Sequence, residues 1–287
     1  MAEANRRLCV KVSTPMTVGY RPELDMTRLL SDEQANYFQN LIGVLRWAVE
    51  LGQIDIHVQV AMLSSYLAQP HQGHLEAVFH IFAYLQKYKR SKVVFDNMCV
   101  NWGNKFQAVD WKDFYPEASE PIPPNVPEPC GKCVQLHCFV DADHAGNQIT
   151  QQSHTGVLLF VCRAPIIWYS KQQNTVKTST FGLEFIAAKT ATEMIQALRY
   201  KLCMMGIPID GPTNMFCDNE AVVRNSTMPE STIKKKHVAI CYHCVREACA
   251  SGMIQIAKED GATNLADVLT KSLPGPRLRD LIGRILY

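Results

Sequence analysis

The chain lacks a charge imbalance: 29 Lys and Arg stand against 27 Asp and Glu over 287 residues, a formal net charge of +2. A strongly basic surface is therefore excluded as a whole-chain property. Any contact with nucleic acid has to come from local patches. Long apolar runs are missing as well. No stretch approaches the roughly 20 apolar residues of a membrane-spanning helix, so no membrane partner is expected. Met1-Ala2-Glu3-Ala4-Asn5-Arg6-Arg7 leads into no apolar segment of export-signal type, which predicts a chain that is not secreted. Internal repeats are absent. The 11 cysteines are an odd number without an export signal, so reduced thiols are expected rather than a disulfide framework. What is present in quantity is apolar side chain: 47% of residues are hydrophobic, enough for one large or two ordinary domains with real cores.

Four acidic residues stand out by their settings. Asp141 ends a strand-like run in Phe139-Val140-Asp141-Ala142-Asp143. Glu184 lies near the start of a helix-like run in Phe181-Gly182-Leu183-Glu184-Phe185. Asp218 ends the apolar stretch Met215-Phe216-Cys217-Asp218-Asn219, and Asp267 lies in Asn264-Leu265-Ala266-Asp267-Val268-Leu269-Thr270-Lys271. A carboxylate at a strand end or a helix start can point into a shared cleft. Several crowded together repel one another unless a divalent cation is bound. That is the logic of a two-metal nuclease site.

Along the chain, residues 31–90 read as three helices. Ser31 and Gln34 have capping-box spacing, and Tyr37, Leu41, Leu45 and Ala48 recur with helical period. A second helix is predicted from His57 to Leu67 and a third from Leu75 to Tyr88, the latter running into the basic and aromatic segment Tyr84 to Lys92. Val93-Val94-Phe95 and Val109 to Phe114 suggest strands. Residues 116–130 carry repeated prolines and read as a linker, which separates an N-terminal part, 1–115, from 131–275. The second part alternates strand and helix. Strands are expected at Cys133–Asp141, Gly156–Cys162, Ala164–Ser170, Asn214–Cys217 and Met253–Ala257. Helices are expected at Phe181–Met205, Asn219–Asn225, Lys236–Ser251 and Thr263–Lys271, and residues 276–287 form a C-terminal helix. This is an α/β pattern with a mixed sheet.

Seven short motifs then occur in a telling order. They are Asp141-Ala142-Asp143-His144-Ala145-Gly146, Ser153-His154-Thr155-Gly156, Trp168-Tyr169-Ser170-Lys171-Gln172, Glu184, Cys217-Asp218-Asn219, Lys236-His237-Val238, and Leu265-Ala266-Asp267-Val268-Leu269-Thr270-Lys271. Upstream stand Tyr37-Phe38-Gln39-Asn40-Leu41-Ile42-Gly43-Val44-Leu45 and Leu63-Ser64-Ser65-Tyr66-Leu67. From about residue 10 to about 275 the chain resembles the C-terminal part of the polyprotein of copia-type LTR retrotransposons. The resemblance covers the thumb and connection of reverse transcriptase followed by RNase H.

The resemblance implies an RNase H-like five-stranded mixed sheet with flanking helices over 131–275, preceded by a mostly helical thumb/connection region. It implies that Asp141 (rather than Asp143), Glu184, Asp218 and Asp267 are the catalytic, metal-holding acids. The expected cofactor is Mg²⁺, as two ions with Mn²⁺ as substitute, because hard oxygen ligands favour those ions. The expected partners are an RNA–DNA hybrid and the polymerase part of a longer polyprotein, in the cytoplasm (virus-like particle) or the nucleus. Ser153, Thr155, Gln172 and Asn219 are candidate donors to 2′-hydroxyls across the hybrid minor groove. Lys236 and His237 are candidates for backbone contact.

The departures bear on activity. No Asp-Asp dipeptide occurs, so the paired metal-binding aspartates of a polymerase palm are missing from this polypeptide. The loop before Asp267 reads Ala257-Lys258-Glu259-Asp260-Gly261-Ala262 and has no histidine, which leaves water or Glu259 to protonate the leaving group. The alternative is a catalytically silent retroelement fragment that binds nucleic acid or a polymerase partner. A third reading uses the pairs Cys130/Cys133 and Cys241/Cys244 as a structural zinc site; buried thiols are the simpler account. Trp168 reads as a core residue of an apolar strand.

Overall fold

A computed structural model describes residues 12–107, 109–144, 146–174, 180–233 and 238–286. Three helices come first: α1 (Asp32–Glu50), α2 (His57–Leu63) and α3 (Gln72–Lys87). Ser31 and Gln34 close a reciprocal capping box on α1, which satisfies donors that the first turn leaves unpaired. Phe38, Ile42, Leu45 and Val49 of α1 then share a core with Val60, Leu63, Leu75, Val78 and Ile81. The second helix is shorter than the pattern predicts. Its α-turns stop at Leu63 and a single 3₁₀ turn, Ser64–Tyr66, completes it.

Neither strand expected before residue 116 forms. Val93 makes one isolated bridge, to Leu286, and Phe95 is 72% exposed. Residues 109–114 are irregular, and Trp111 is buried among them. These apolar residues pack instead of pairing. Trp102 and Phe106 lie 4.5 and 5.5 Å from the Phe216 ring, and the Arg246 guanidinium stacks 4.9 Å from Trp111. Residues 116–130 have no regular structure but are pinned to the sheet side. Glu120 takes a two-pronged bond from Arg199 at 2.6 and 2.7 Å, and the Cys130 N–H donates to Gly206 O.

The second half contains β1 (Leu136–Ala142), β2 (His154–Val161), β3 (Ala164–Gln172), α4 (Thr180–Met204), β4 (Thr213–Cys217), α5 (Glu220–Thr227), α6 (Ala239–Ala250), β5 (Ile254–Lys258) and α7 (Gly275–Ile282). The strands make one sheet in the order β3-β2-β1-β4-β5. β1, β2 and β3 are antiparallel neighbours, while β4 and β5 run parallel to β1. This is the five-stranded mixed sheet with flanking helices expected from the motifs. Both faces are covered, so the polarity alternation of β1 is not a water-facing side, and all seven of its residues are buried. Cys138 and Val140 meet Leu183, Phe185, Ile195 and Val245 on one face. Phe139 meets Leu265, Val268, Leu269 and Leu281 on the other. His137 is buried and stacks on Phe160, ring centroids 4.6 Å apart. No helix among the described residues is long and apolar enough to cross a membrane.

The segment carrying Asp267 is a 3₁₀ helix, Leu265–Leu269, rather than a longer α-helix. Asn264, fully buried, anchors it: its amide donates to Val140 O at 3.1 Å and its oxygen accepts the Ala266 N–H. Gly156 lets it approach. A Cβ at that position would lie 2.7 Å from the Thr270 methyl and 2.9 Å from the Ala266 carbonyl oxygen. The helical region is joined to the same face by the Trp168 indole, which donates to Val49 O at 2.9 Å. Gly156→Ala should therefore push this 3₁₀ segment off the sheet and destabilise the fold by about 1–3 kcal/mol, read from urea unfolding. An unchanged midpoint would show that the close approach is not needed.

Candidate active site

Parallel pairing of β1 with β4 decides the geometry. Val140 is in register with Cys217, so the next residues on the two strands, Asp141 and Asp218, emerge side by side at the same sheet end. The 3₁₀ segment adds Asp267 from one face, and the first turns of α4 add Glu184 from the other. Asp141 and Asp267 are each 1% exposed and Glu184 6%, while Asp218 is half-buried. Oxygens of Asp141, Asp218 and Asp267 all lie within 4.8 Å of one another, and Glu184 and Asp218 make a second such group with the Cys217 thiol. Asp218 links the two groups into one cluster.

Such crowding resists ionisation. Burial, then the Asp141 and Asp218 charges, pushes Glu184 up to about 9. Burial and Asp141 raise Asp267 to about 6 even though Lys271 and Arg277 oppose them. Asp218 is raised by burial and by Asp141. Two cations answer the charge. The Lys271 ammonium lies 2.5 Å from Asp267 Oδ1 and 3.3 Å from Asp141 Oδ1, and Arg277 Nη2 bonds Asp267 Oδ2 and Gly261 O. Burial works against the lysine's charge, but Asp141 and Asp267 outweigh it and hold Lys271 above its ordinary range. The Thr270 hydroxyl donates to Asp141 Oδ2.

One oxygen is left over. Glu184 Oε2 is buried and has no hydrogen-bond partner. A buried carboxylate oxygen without a partner is costly. Beside two more carboxylates it is a hard-donor set of the kind that suits a divalent cation such as Mg²⁺ or Mn²⁺.

The other sequence candidates are dispersed. Asp143 stays outside the cluster: its carboxylate accepts the His154 N–H, locking the ends of β1 and β2 together, and burial raises it to about 7. Ser153 and Thr155 are buried, and the Thr155 hydroxyl accepts the Gln173 amide, so neither presents a free donor to a ligand at the surface. Asn219 caps α5 through the Ala221 and Val222 N–H groups. Gln172 is half-buried and lines a cleft of about 500 Å³ with Arg46, Ser64 and Lys171. Lys236 and His237 lie outside the described residues. Glu259, suggested above as a proton source, is held by Lys105 at 3.1 Å and by the Thr263 hydroxyl at 2.6 Å. Neither Cys-x-x-Cys pair belongs to a converging set of metal-ligand side chains among the described residues.

Three participants had no assigned role in the sequence. The i, i+4 spacing of Asp267 and Lys271 on a helix-like run was a usable signal for an ion pair. Thr270 lay inside the same motif without one. Arg277 lies beyond Pro274, past the end of the resemblance, and only the return of α7 over the sheet brings it in.

Comparison with known proteins places this geometry in context. No family model matches the chain. The chain is 25% identical over 285 residues to the retrovirus-related Pol polyprotein from transposon RE1 of Arabidopsis thaliana, across 99% of its own length and 17% of that protein. It is 27% identical to the retrovirus-related Pol polyprotein from transposon TNT 1-94 of Nicotiana tabacum, across 97% of its length and 19% of that protein. Among solved structures it is similar to RNase H1 of the archaeon Halobacterium salinarum (TM-score 0.37, 15% identity, 47% of this chain and 94% of that one). It is also similar to LC11-RNase H1 in complex with an RNA/DNA hybrid (TM-score 0.39, 16% identity, 47% of this chain and 94% of that one). The chain spans less than a fifth of the length of the curated relatives it matches. It is homologous, along 95–99% of its own length, to the Pol polyproteins of plant copia-type retrotransposons.

Proposed function

We propose that the chain is a metal-dependent ribonuclease H, cleaving the RNA strand of RNA–DNA hybrids endonucleolytically as part of a retrotransposon reverse transcriptase. Residues 131–275 would carry the nuclease and 1–115 a thumb/connection-like remnant. The observation that carries the proposal is the convergence of Asp141, Glu184, Asp218 and Asp267 at one sheet end, with the Glu184 oxygen unpartnered. Homology to Pol polyproteins supports the same reading.

In this mechanism Asp141 sits centrally, flanked by Glu184 and Asp218 on one side and Asp267 on the other. Bound there, Mg²⁺ or Mn²⁺ would polarise the scissile phosphate and ease formation of the attacking hydroxide. Thr270 orients the Asp141 carboxylate. Gln172 and Asn219, both half-buried, would meet the hybrid, with recognition of 2′-hydroxyls as the source of selectivity for RNA. Because Glu259 is engaged, the leaving oxygen takes its proton from solvent.

One observation favours the rival, a catalytically silent fragment that binds nucleic acid or a polymerase partner: both oxygens of Asp267 are already ion-paired. Hybrid cleavage in Mg²⁺ separates the two. Asp141→Asn should lower the rate by about 100-fold or more. Equal, background-level degradation by both proteins would sink the nuclease assignment and leave the silent fragment.

The raised carboxyls also set a pH dependence. Asp267, Asp143 and Glu184 hold their protons in the folded chain up to about 6, 7 and 9, where the unfolded chain has already released them. Their stabilising effect is full below about pH 4 and is lost as pH rises through those values. The buried His57, His137 and His154, held below their ordinary range, act in the opposite sense up to about pH 6.5, so thermal melts in EDTA should show stability falling from pH 7 to pH 9. Mg²⁺ should restore it at the alkaline end, and Glu184→Gln should flatten the upper part of the curve. A melting temperature independent of pH in EDTA would contradict the burial of these groups.

A further inference from the structure

The carboxylate cluster has two unequal halves. On the Asp267 side no oxygen is free: Oδ1 takes the Lys271 ammonium at 2.5 Å and Oδ2 takes Arg277. Lys271 also spans to Asp141, 3.3 Å from Oδ1 and 3.2 Å from Oδ2, so its nitrogen bridges the two aspartates. On the opposite side Glu184 Oε2 is buried without a partner, next to Asp218. Resting on the nuclease reading above, we infer that without substrate the chain binds a single divalent ion, on the Glu184–Asp218–Asp141 side, and that the Lys271 ammonium stands in the place of a second ion.

Charge balance supports this. Once a bound ion displaces the Glu184 proton, four carboxylates face two fixed cations, Lys271 and Arg277, which leaves two negative charges for the ion to balance. One divalent ion neutralises them; a second would leave the buried site with excess positive charge, which burial opposes. Geometry agrees. A hard divalent ion needs several oxygens at close range, and at both Asp267 oxygens it would meet a cation already in place. The lysine is placed for the role. Its backbone amide bonds to Asp267 O, it lies four residues after that aspartate at the end of a buried 3₁₀ segment, and its neighbour Thr270 fixes the second oxygen of Asp141. A hybrid phosphate would add negative charge, and Asp141 and Asp267 would hold a second ion there once the Lys271 ammonium swings away.

The test is ion stoichiometry in the full chain without nucleic acid, measured by calorimetric titration with Mn²⁺ and by counting bound Mn²⁺ with electron paramagnetic resonance. The wild type should take about one ion per chain and Lys271→Met about two, with the second site at least about tenfold tighter than any second site of the wild type. Lys271→Arg, which keeps the cation, should stay at one. Near-ultraviolet circular dichroism checks that each variant is folded, and Lys271→Gln serves as a second uncharged variant if the methionine chain is not. One ion of equal affinity in the wild type and in the folded uncharged variant would overturn the lysine's role and leave the nuclease reading standing. If neither the wild type nor the variants bind any ion, and Asp218→Asn changes nothing, both fail.

Discussion

Four carboxylates gathered at one end of the sheet repel one another, and much of the local structure can be understood as the containment of that repulsion. Side-by-side emergence of Asp141 and Asp218 follows directly from the register of β1 with β4. Once they are adjacent, burial raises the cost of charge on each neighbour. The protein answers with position rather than with distance. Lys271 and Arg277 are brought to Asp267 from two different elements, and Thr270 bonds Asp141. Glu184 has only the Ala142 backbone and the more distant Lys271 charge to offset its burial, and its unpartnered oxygen is where compensation from outside would act.

That containment depends on a short segment held tightly. The 3₁₀ turn carrying Asp267 has few bonds of its own and would not keep its shape alone. Asn264 ties its start to the carbonyl just before Asp141, and Gly156 removes the one Cβ that would hold it away from β2. Two unremarkable sequence positions thus set the distance between two of the acids. The neighbouring Asp143 shows the opposite use of a carboxylate: it is bound to the His154 N–H and closes the β1–β2 ends instead of entering the cluster.

Much of the fold was legible because its signals are local. The Ser31–Gln34 box, Gly206 in left-handed conformation after α4, and the apolar strands all depend on residues close in sequence. Strand readings failed where an apolar run had no strand to pair with: Val93-Val94-Phe95 makes a single bridge, Val93 to Leu286, and the 109–114 run buries Trp111 against the Arg246 guanidinium. The four acids were recognisable from their order and settings. Their countercharges were harder to see. The spacing of Lys271 from Asp267 was a signal left unused, but Arg277 arrives through the return of α7, a tertiary contact that no local pattern encodes. Ser153 and Thr155 misled for a related reason. Their motif stands just before the predicted strand and suggested donors open to a ligand, yet both residues are buried at the start of β2.

The N-terminal helices belong to the site's scaffold even though they contribute none of the four acids. Ile54, in the turn before α2, shares a core with Leu265, Val268 and Leu269 of the Asp267 segment, and Trp168 bonds the carbonyl of Val49 at the end of α1. The helical layer therefore presses on the outer side of the same 3₁₀ turn whose inner side rests on Gly156. A segment that short, clamped between a strand and a helical layer, holds Asp267 and Lys271 at fixed positions against the repulsion of Asp141. Removing the helices would expose Leu265 and Leu269 and free the turn to drift outward, and the carboxylate cluster would open on the side where its charge is already balanced by lysine and arginine.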